Sequence, residues 1–496
     1  MTRKHINRRR VLGGAGAGIA AAMAGCLPGG GDGGDGDGGD GGDGNGGDGG
    51  TPTPTPNPAD LPEVHFITDY YNSAWEARWG ELESSFEEQT GIGMLIEEAG
   101  MSGQQESRLA QLIQAGEPPD ANTSTFDQVA NLWSNDQLVP VTDVVDNIKA
   151  VAGELLTSPF IPESGDIYQV PHGMYVSNFH YRTDVYEQLG LEPPETMEDI
   201  LDNARAIDES DMDIRGYGLA GKKTGKSQDE FQTYLQNMGV SGVGLRWKDP
   251  DAMEELEIHW PEEEITYLLQ WFKDISEYSP DPTSIGWAES IGRWIQGQYA
   301  QQYHLNIWPQ GLAAQTAEAN DSDALRGLAR ASKVQPIPRW SQVDAEDNWQ
   351  WEPAPDGYHI MKNGTNTPGI KKWFNWLYAD SLERTAGMYA QEPSRFLPTY
   401  AEVLESDAFQ NIGLWQKYPY LLEEMQYNSN VILGEHYGNV PESDLNSPVA
   451  LYCTRQWFYG EMINQVVTES MTVQEAYDWG REQLEGHVED ARSKFG

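Results

Sequence analysis

Val64-His65-Phe66-Ile67-Thr68 is a short β-prone run, and a polar and aromatic loop, Asp69 to Ser73, stands directly behind it. A helix follows, because Trp75, Trp79, Leu82 and Phe86 fall at i, i+4, i+7 and i+11, one face of a helical period, and Gly91 stands where a C-cap is expected. Ile92 to Glu97 reads as the next strand. Gln104 to Ala115 reads as a second helix, stopped by Gly116 and Pro118-Pro119, and Asp120 opens a third strand. Strand, helix, strand, helix, strand is the pattern of a parallel sheet, so the fold class is α/β. Ligands of such sheets sit outside the carboxyl ends of the strands. That directs attention to Asp69-Tyr70-Tyr71-Asn72 after the first strand and Ser124-Thr125-Phe126-Asp127 after the third.

Downstream, Asp127 to Asn135 gives another helix. Asp166-Ile167-Tyr168-Gln169-Val170-Pro171 then leads through an aromatic stretch, Tyr175 to Tyr181, into a helix from Asp184 to Gly190. Thr196 and Asp199 form a capping arrangement for a helix that turns Ile200, Leu201, Ala204 and Ile207 inward, and Tyr217-Gly218-Leu219-Ala220 reads as a further strand. Thr472 and Glu475 form a capping box before Ala476, Tyr477 and Leu484. The chain carries no internal repeat of solenoid length. It reads as a two-lobed α/β protein or a pair of α/β domains.

Upstream, residues 1–26 read as an export signal. Basic Arg3, Lys4, Arg8, Arg9 and Arg10 precede the small apolar run Val11 to Ala24, which is shorter than the ~20 residues a spanning helix needs. Arg8-Arg9 before Arg10-Val11-Leu12 is similar to a twin-arginine signal, and Met23-Ala24-Gly25-Cys26 resembles a lipobox whose cysteine becomes the lipid-modified first residue. Residues 27–60, Gly-Asp low complexity followed by Thr51-Pro52-Thr53-Pro54-Thr55-Pro56-Asn57-Pro58, have nothing with which to build a core. They read as a disordered tether spanning about 30 Å. No later stretch is long and apolar enough to span a bilayer, so the body is expected to be soluble and anchored only at its start.

The composition narrows the function. The 496 residues carry 32 Lys+Arg against 78 Asp+Glu, a net charge of −46, and such a surface repels phosphate backbones and anionic headgroups, which argues against nucleic acid as a partner. The excess of acid reads as acidic chemistry at a site or as a solvated surface adapted to very high salt. The second is preferred, because self-repulsion at low ionic strength would destabilise the fold. Hydrophobic residues at 38%, with 17 Trp and 23 Tyr, suffice for sizeable cores, so global disorder is excluded. Only Cys26 and Cys453 occur, which makes no disulfide framework.

Motifs for chemistry are few. Ala220-Gly221-Lys222-Lys223-Thr224-Gly225-Lys226-Ser227 fits a permissive phosphate-loop pattern, but no metal-holding partner strand stands out, and a solvated Lys/Gly loop is the preferred reading. The nine histidines form no pair at ligand spacing, so no metal or cofactor is expected. There is no Gly-x-Ser-x-Gly elbow, and Cys453 lies in an aromatic-rich stretch that suits a buried, inert thiol. The 78 acids make any carboxylate spacing available by chance and say nothing about catalysis. Rings are more telling: Tyr70, Tyr71, Trp75, Tyr175, Trp247, Trp287, Trp294, Trp308, Tyr452 and Trp457 lie in or beside polar segments, where a ring face can stack on a pyranose.

Several segments, in order, resemble the family 1 extracellular solute-binding proteins, the maltose-binding-protein-like receptors of ABC importers. These are Leu109 to Asp120, Gln137-Leu138-Val139-Pro140, and the run from Tyr168-Gln169-Val170-Pro171 through Tyr181 and Asp184 to Gly190, Pro193-Pro194, Thr196 and Asp199. Pro336-Ile337-Pro338, Gly369 to Leu377 and Thr472 to Ala476 complete the series. Two segments depart from the family pattern: Gly297 to Gln301 echoes it loosely, and Leu305-Asn306-Ile307-Trp308-Pro309 lacks its usual glycine.

The resemblance implies a type II periplasmic-binding-protein-like fold, with a ligand cleft between two lobes joined by crossovers. Lobe I is expected at 61–174 plus 346–396 and lobe II at 175–345 plus 397–496. By family position, Asp127 matches a carboxylate that binds sugar hydroxyls, and Tyr175 falls at the first crossover. Trp308, Arg395 and the Tyr452 to Trp457 region match ring platforms and polar contacts; with Tyr70, Tyr71 and Asn72 these are the expected ligand contacts. The resemblance implies a monomeric, non-enzymatic receptor on the extracellular face, lipid-anchored at Cys26, that delivers a carbohydrate to ABC permease subunits. A receptor for a polyol, phosphodiester or peptide, and a secreted carbohydrate-active hydrolase, are the alternatives. Asn122, Asn320 and Asn363 each stand in a glycosylation sequon.

Overall fold

The β-α-β-α-β unit forms with bounds close to those the periodicity predicts: β1 Val64–Thr68, helix Ser73–Thr90, β2 Met94–Glu98, helix Gln104–Ala115 and β3 Ala121–Ser124. The computed structural model describes residues 57–70, 73–100, 104–124, 126–157, 159, 161, 164–248, 255–345, 348, 355–432 and 447–495. The export signal, Cys26, most of the tether, Tyr71 and Asn72 lie outside the described residues. Trp75, Trp79, Leu82 and Phe86 are all buried, as their shared helix face requires, and Gly91 and Gly116 end the two helices with φ of +72° and +74°, the left-handed region that glycine enters without strain.

β1 pairs in parallel with β2 and β3. Three later strands extend this sheet in the antiparallel sense: β4 Val170–Met174, β10 Asp356–Ile360 and β11 Leu397–Pro398, giving the order β11-β4-β10-β3-β1-β2. β11 thus stands in the first sheet directly after the expected lobe boundary at 396/397. A second, antiparallel sheet holds β5 Ser177–Arg182 between β8 Gln301–Leu305 and β9 Ser332–Gln335. β6 Leu245–Trp247 and β7 Leu256–Ile258 form a separate two-stranded ribbon. The protein is thus two-lobed and mixed α/β. Only Tyr175 and Val176 separate β4 of the first sheet from β5 of the second.

Capping chemistry sets the helix starts. Thr196 accepts from Asp199 N–H while the Asp199 carboxylate accepts from Thr196 N–H, and Thr472 with Glu475 repeats the arrangement at helix Val473–Phe495. Two sequence readings need correction. Tyr217 to Ala220 is buried and runs beside β8, with Gly218 N–H donating to Gln301 O at 2.9 Å, but it makes no strand ladder. The Lys/Gly loop is not solvated throughout: Lys226 and Ser227 are fully buried in the first turn of helix Gly225–Asn237. Lys226 Nζ donates to Tyr303 O at 2.8 Å and lies 3.5 Å from Glu230 one turn on, a pairing that lets a charged residue leave water.

Candidate functional site

The carboxyl ends of the three parallel strands present one polar edge. Beyond β1 come Asp69 and Tyr70, beyond β2 the first turn of helix Gln104–Ala115 with Glu106, and beyond β3 the first turn of helix Phe126–Ser134 with Asp127 and Gln128. The Asp127 side chain lies outside the described residues. Thr123 and Thr68 hydroxyls bond at 2.8 Å, and Thr68 accepts from Tyr70 N–H at 3.0 Å, which ties the edge together. Gln128 Nε2 donates to Glu106 Oε1, and that same oxygen holds Arg455 Nη2 at 3.2 Å.

Arg455 follows helix Pro448–Thr454, which packs on the C-terminal helix Val473–Phe495. One turn earlier on the same face, Leu451 packs into a small core of Leu109, Val129, Ala130, Leu138 and Met361 from the first lobe. The C-terminal segment thereby bears on the carboxyl edge of the first sheet. Trp457, half-buried with φ +54°, opens helix Phe458–Val467 two residues beyond Arg455. Tyr452 is directed elsewhere, against Phe495 with Lys494 over its ring at 4.3 Å.

Four expected residues meet at a second point. Arg395 is buried, with Nη1 3.1 Å from Glu392 and Nη2 3.6 Å from Asp69, and its guanidinium lies over the rings of Tyr70, Trp308 and Phe396 at 5.0, 4.8 and 4.7 Å. Burial opposes its charge, but Glu392 and Asp69 help keep it cationic; burial likewise pushes the Asp69 carboxyl up, and Arg395 pulls it back. Tyr70 also packs on His172, whose imidazole burial and Arg395 hold neutral, down to about 3. Tyr175, at the crossover, donates to Asp356 Oδ2 at 3.0 Å. Tyr70, Tyr175, Trp308 and Arg395 therefore form one cluster at the junction of the lobes. Among the described residues, Tyr70 Oη, Trp308 Nε1 and both amide atoms of Gln310 are buried there or in the adjoining helix Trp308–Asn320 with no protein partner. Such groups carry an unmet hydrogen-bonding demand.

Sequence reasoning did not single out Glu106, Gln128, Gln310 or Asp356, and it reached Arg455 only as part of the Tyr452 to Trp457 region. Glu106 and Gln128 were findable, since both open helices at the strand ends already singled out; the pairing of Arg455 with Glu106, 349 positions apart, left no local signal. Among the described residues no group of His, Cys, Asp and Glu could hold a metal ion, and no helix is long and apolar enough to cross a membrane. Cys453 is buried, and burial pushes its thiol up to about 12, so it is a poor nucleophile. A cavity of about 440 Å³ lies apart from both clusters, beside Val185, Met212, Ile295 and Leu328, and no expected site residue lines it. Asn122 is fully buried in β3, which leaves no room for a glycan in the folded chain, whereas Asn320 and Asn363 are exposed.

In a two-lobed α/β body, the polar edge at the carboxyl ends of the parallel strands is where ligands of such sheets bind. Residues 67–382, more than half of the chain, match the family described as bacterial extracellular solute-binding protein, and the chain belongs to that family. No curated protein sequence matches it. Solved structures share the fold. An ABC transporter solute-binding protein from Thermotoga lettingae, bound with alpha-D-tagatose, is 18% identical over 86% of this chain and 100% of its own, with a TM-score of 0.64. One from Agrobacterium radiobacter in complex with ribitol is 17% identical over 85% of this chain and 97% of its own (TM-score 0.65). Maltose-bound MalE3 of T. maritima is 16% identical over 86% and 99% (TM-score 0.65).

Proposed function

We propose that this chain is the substrate receptor of an ABC importer, exported by a twin-arginine signal, anchored by lipid at Cys26 on the extracellular face and held off the membrane by the 27–60 tether. It binds a sugar or oligosaccharide between its lobes and delivers it to the permease as a monomer, without bond chemistry. Lobe I takes 61–174 and 346–398, and lobe II the remainder of the body. The observation that carries this reading is Arg455 reaching Glu106 at 3.2 Å across the carboxyl edge of β1, β2 and β3, where ligands of parallel sheets bind. Asp127, Trp457 and Trp308 contact the ligand, together with Tyr71 and Asn72. Tyr70, Tyr175 and Arg395, already committed to one another and to Asp69, Glu392 and Asp356, support the junction and present Tyr70 Oη inward. Tyr452 acts through the C-terminal helix.

The sugars and polyols bound by structural neighbours support a neutral, hydroxyl-rich ligand, and a polyol such as ribitol or mannitol is the second reading. The surplus of acid fits a surface for concentrated salt. The test is thermal melting of the full chain in concentrated salt against maltose, other mono- and oligosaccharides, polyols and peptides, with product analysis of each mixture. A ligand at about 100 times its dissociation constant adds about 2.7 kcal/mol. A sugar- or polyol-specific rise without turnover supports the receptor; turnover would replace it with a hydrolase, and a rise with peptides alone would move the ligand class.

A further inference from the structure

Asn306 stands between β8 of the second sheet and helix Trp308–Asn320, with φ +47°, a left-handed conformation that asparagine tolerates better than most side chains. It is fully buried, and its side chain is saturated by backbone. Oδ1 accepts from Val176 N–H at 2.8 Å, while Nδ2 donates to Met174 O at 3.1 Å and to Arg395 O at 2.7 Å. Its own N–H donates to Val176 O at 2.7 Å, and its carbonyl accepts from Asn178 Nδ2 at 3.1 Å. Asn178 in turn grips Val176 O and Asn428 Oδ1.

These partners come from both lobes and from the link between them. Met174 ends β4 in the first sheet, Val176 lies in the two-residue crossover, and Arg395 stands two residues before β11, again in the first sheet. One carboxamide on the second lobe therefore holds the crossover and a distant segment of the first lobe at once. Close packing reinforces the joint: a Cβ on Gly311, one turn into helix Trp308–Asn320, would clash with Ser394 Oγ. Trp308, two residues after Asn306, covers the Arg395 guanidinium whose carbonyl Asn306 holds.

We propose that Asn306 is a hinge pin: a positioning residue that fixes the angle between the lobes by tying the β4–β5 crossover, the Arg395 segment and the Trp308 turn to a single side chain. Glycine at this position would keep the left-handed backbone and lose all three side-chain bonds, so Asn306→Gly separates the pin from the turn. Asn306→Asp keeps an acceptor for Val176 N–H but has no donor for the two carbonyls.

The test is pulsed electron-spin distance measurement, without added ligand, on the full chain carrying Cys26→Ser and spin labels at Val151→Cys and Asp323→Cys, both exposed and on opposite lobes; Cys453 is buried and stays unlabelled. The control is Asn366→Gly, which removes a buried cap within the first lobe, where Asn366 accepts from Gly369 N–H and donates to Pro62 O. Asn306→Gly and Asn306→Asp are expected to broaden the interlobe distance distribution about twofold or more. Asn366→Gly is expected to lower the melting temperature and leave the distribution as in the parent. A parental distribution in either Asn306 variant would overturn the pin, as would broadening by Asn366→Gly. If Asn306→Gly does not fold, Asn306→Asp decides alone, and failure of both to fold would make Asn306 an ordinary core residue. This inference rests on the two-lobed fold, so it stands or falls separately from the identity of the ligand.

Discussion

Glu230→Gln should be among the most damaging single substitutions that change no volume. Lys226 and Glu230 are both fully buried with their charged atoms 3.5 Å apart, and at an effective dielectric constant near 20 that separation corresponds to about 5 kcal/mol of attraction. The carboxylate also accepts from Tyr217 Oη at 2.8 Å and from Ala220 N–H at 3.4 Å, while the ammonium lies over the Tyr303 ring at 4.7 Å. Glutamine preserves the shape and leaves the lysine uncompensated, which costs about 3 to 5 kcal/mol. Removing both charges with Lys226→Met and Glu230→Gln together should recover much of that loss, because no uncompensated charge then remains buried.

Urea unfolding in concentrated salt, followed by tryptophan fluorescence, measures all three chains. The pH dependence identifies the mechanism. Burial already lowers the Lys226 pKa, and without Glu230 the folded state keeps a neutral amine while the unfolded state binds a proton. Such a group gains stability as pH rises toward the unfolded lysine value, so the deficit of Glu230→Gln should shrink by up to about 1.4 kcal/mol per pH unit above neutrality. A loss below about 1 kcal/mol, or a double variant worse than the single one, would refute the reasoning.

Glu106 and Arg455 remain partly exposed at 31% and 21%, so a double-mutant cycle with alanine at both should show a coupling of about 1 kcal/mol or less that fades with added salt; additivity would mean that the two do not meet in solution. His172, His180 and His359 are each held at about 3 by burial, so the folded protein binds fewer protons than the unfolded one below the ordinary histidine range. Their contribution is complete above about pH 6.5 and is lost on acidification toward 3, at up to about 1.4 kcal/mol per unit for each; imidazole NMR shifts that titrate near 6.5 in the folded chain would contradict this. With a net charge of −46, the melting temperature should fall steeply on dialysis into dilute buffer, and a salt-independent melt would remove the argument for adaptation to concentrated salt.

Local chemistry was legible wherever its physics is local. The Trp75, Trp79, Leu82 and Phe86 face, the glycines at 91 and 116 and the Thr-x-x-acid boxes at 196 and 472 each act within a few residues, and each appears where the pattern puts it. The Lys226 reading failed because lysine is usually solvated and the sequence was judged by its loop composition; the i, i+4 spacing to Glu230 was the signal that could have corrected it. Tyr70 and Trp308 read from the sequence as candidate ring platforms beside polar segments; only the tertiary packing against His172, Phe396 and Arg395 shows that both rings also belong to the lobe junction.

The sequence by itself determined the α/β class, the order of the first five elements, the strand ends at which ligands of parallel sheets bind and the net charge, because periodicity, capping and composition are properties of short windows or of the whole chain. The tertiary structure alone decided that β10 pairs between β3 and β4 and that β11 joins β4, that Arg455 meets Glu106 and that Asn306 binds Met174, Val176 and Arg395. Those pairings close chain segments of up to hundreds of residues. Their specificity comes from burial and hydrogen-bond geometry that exist only once both lobes have formed.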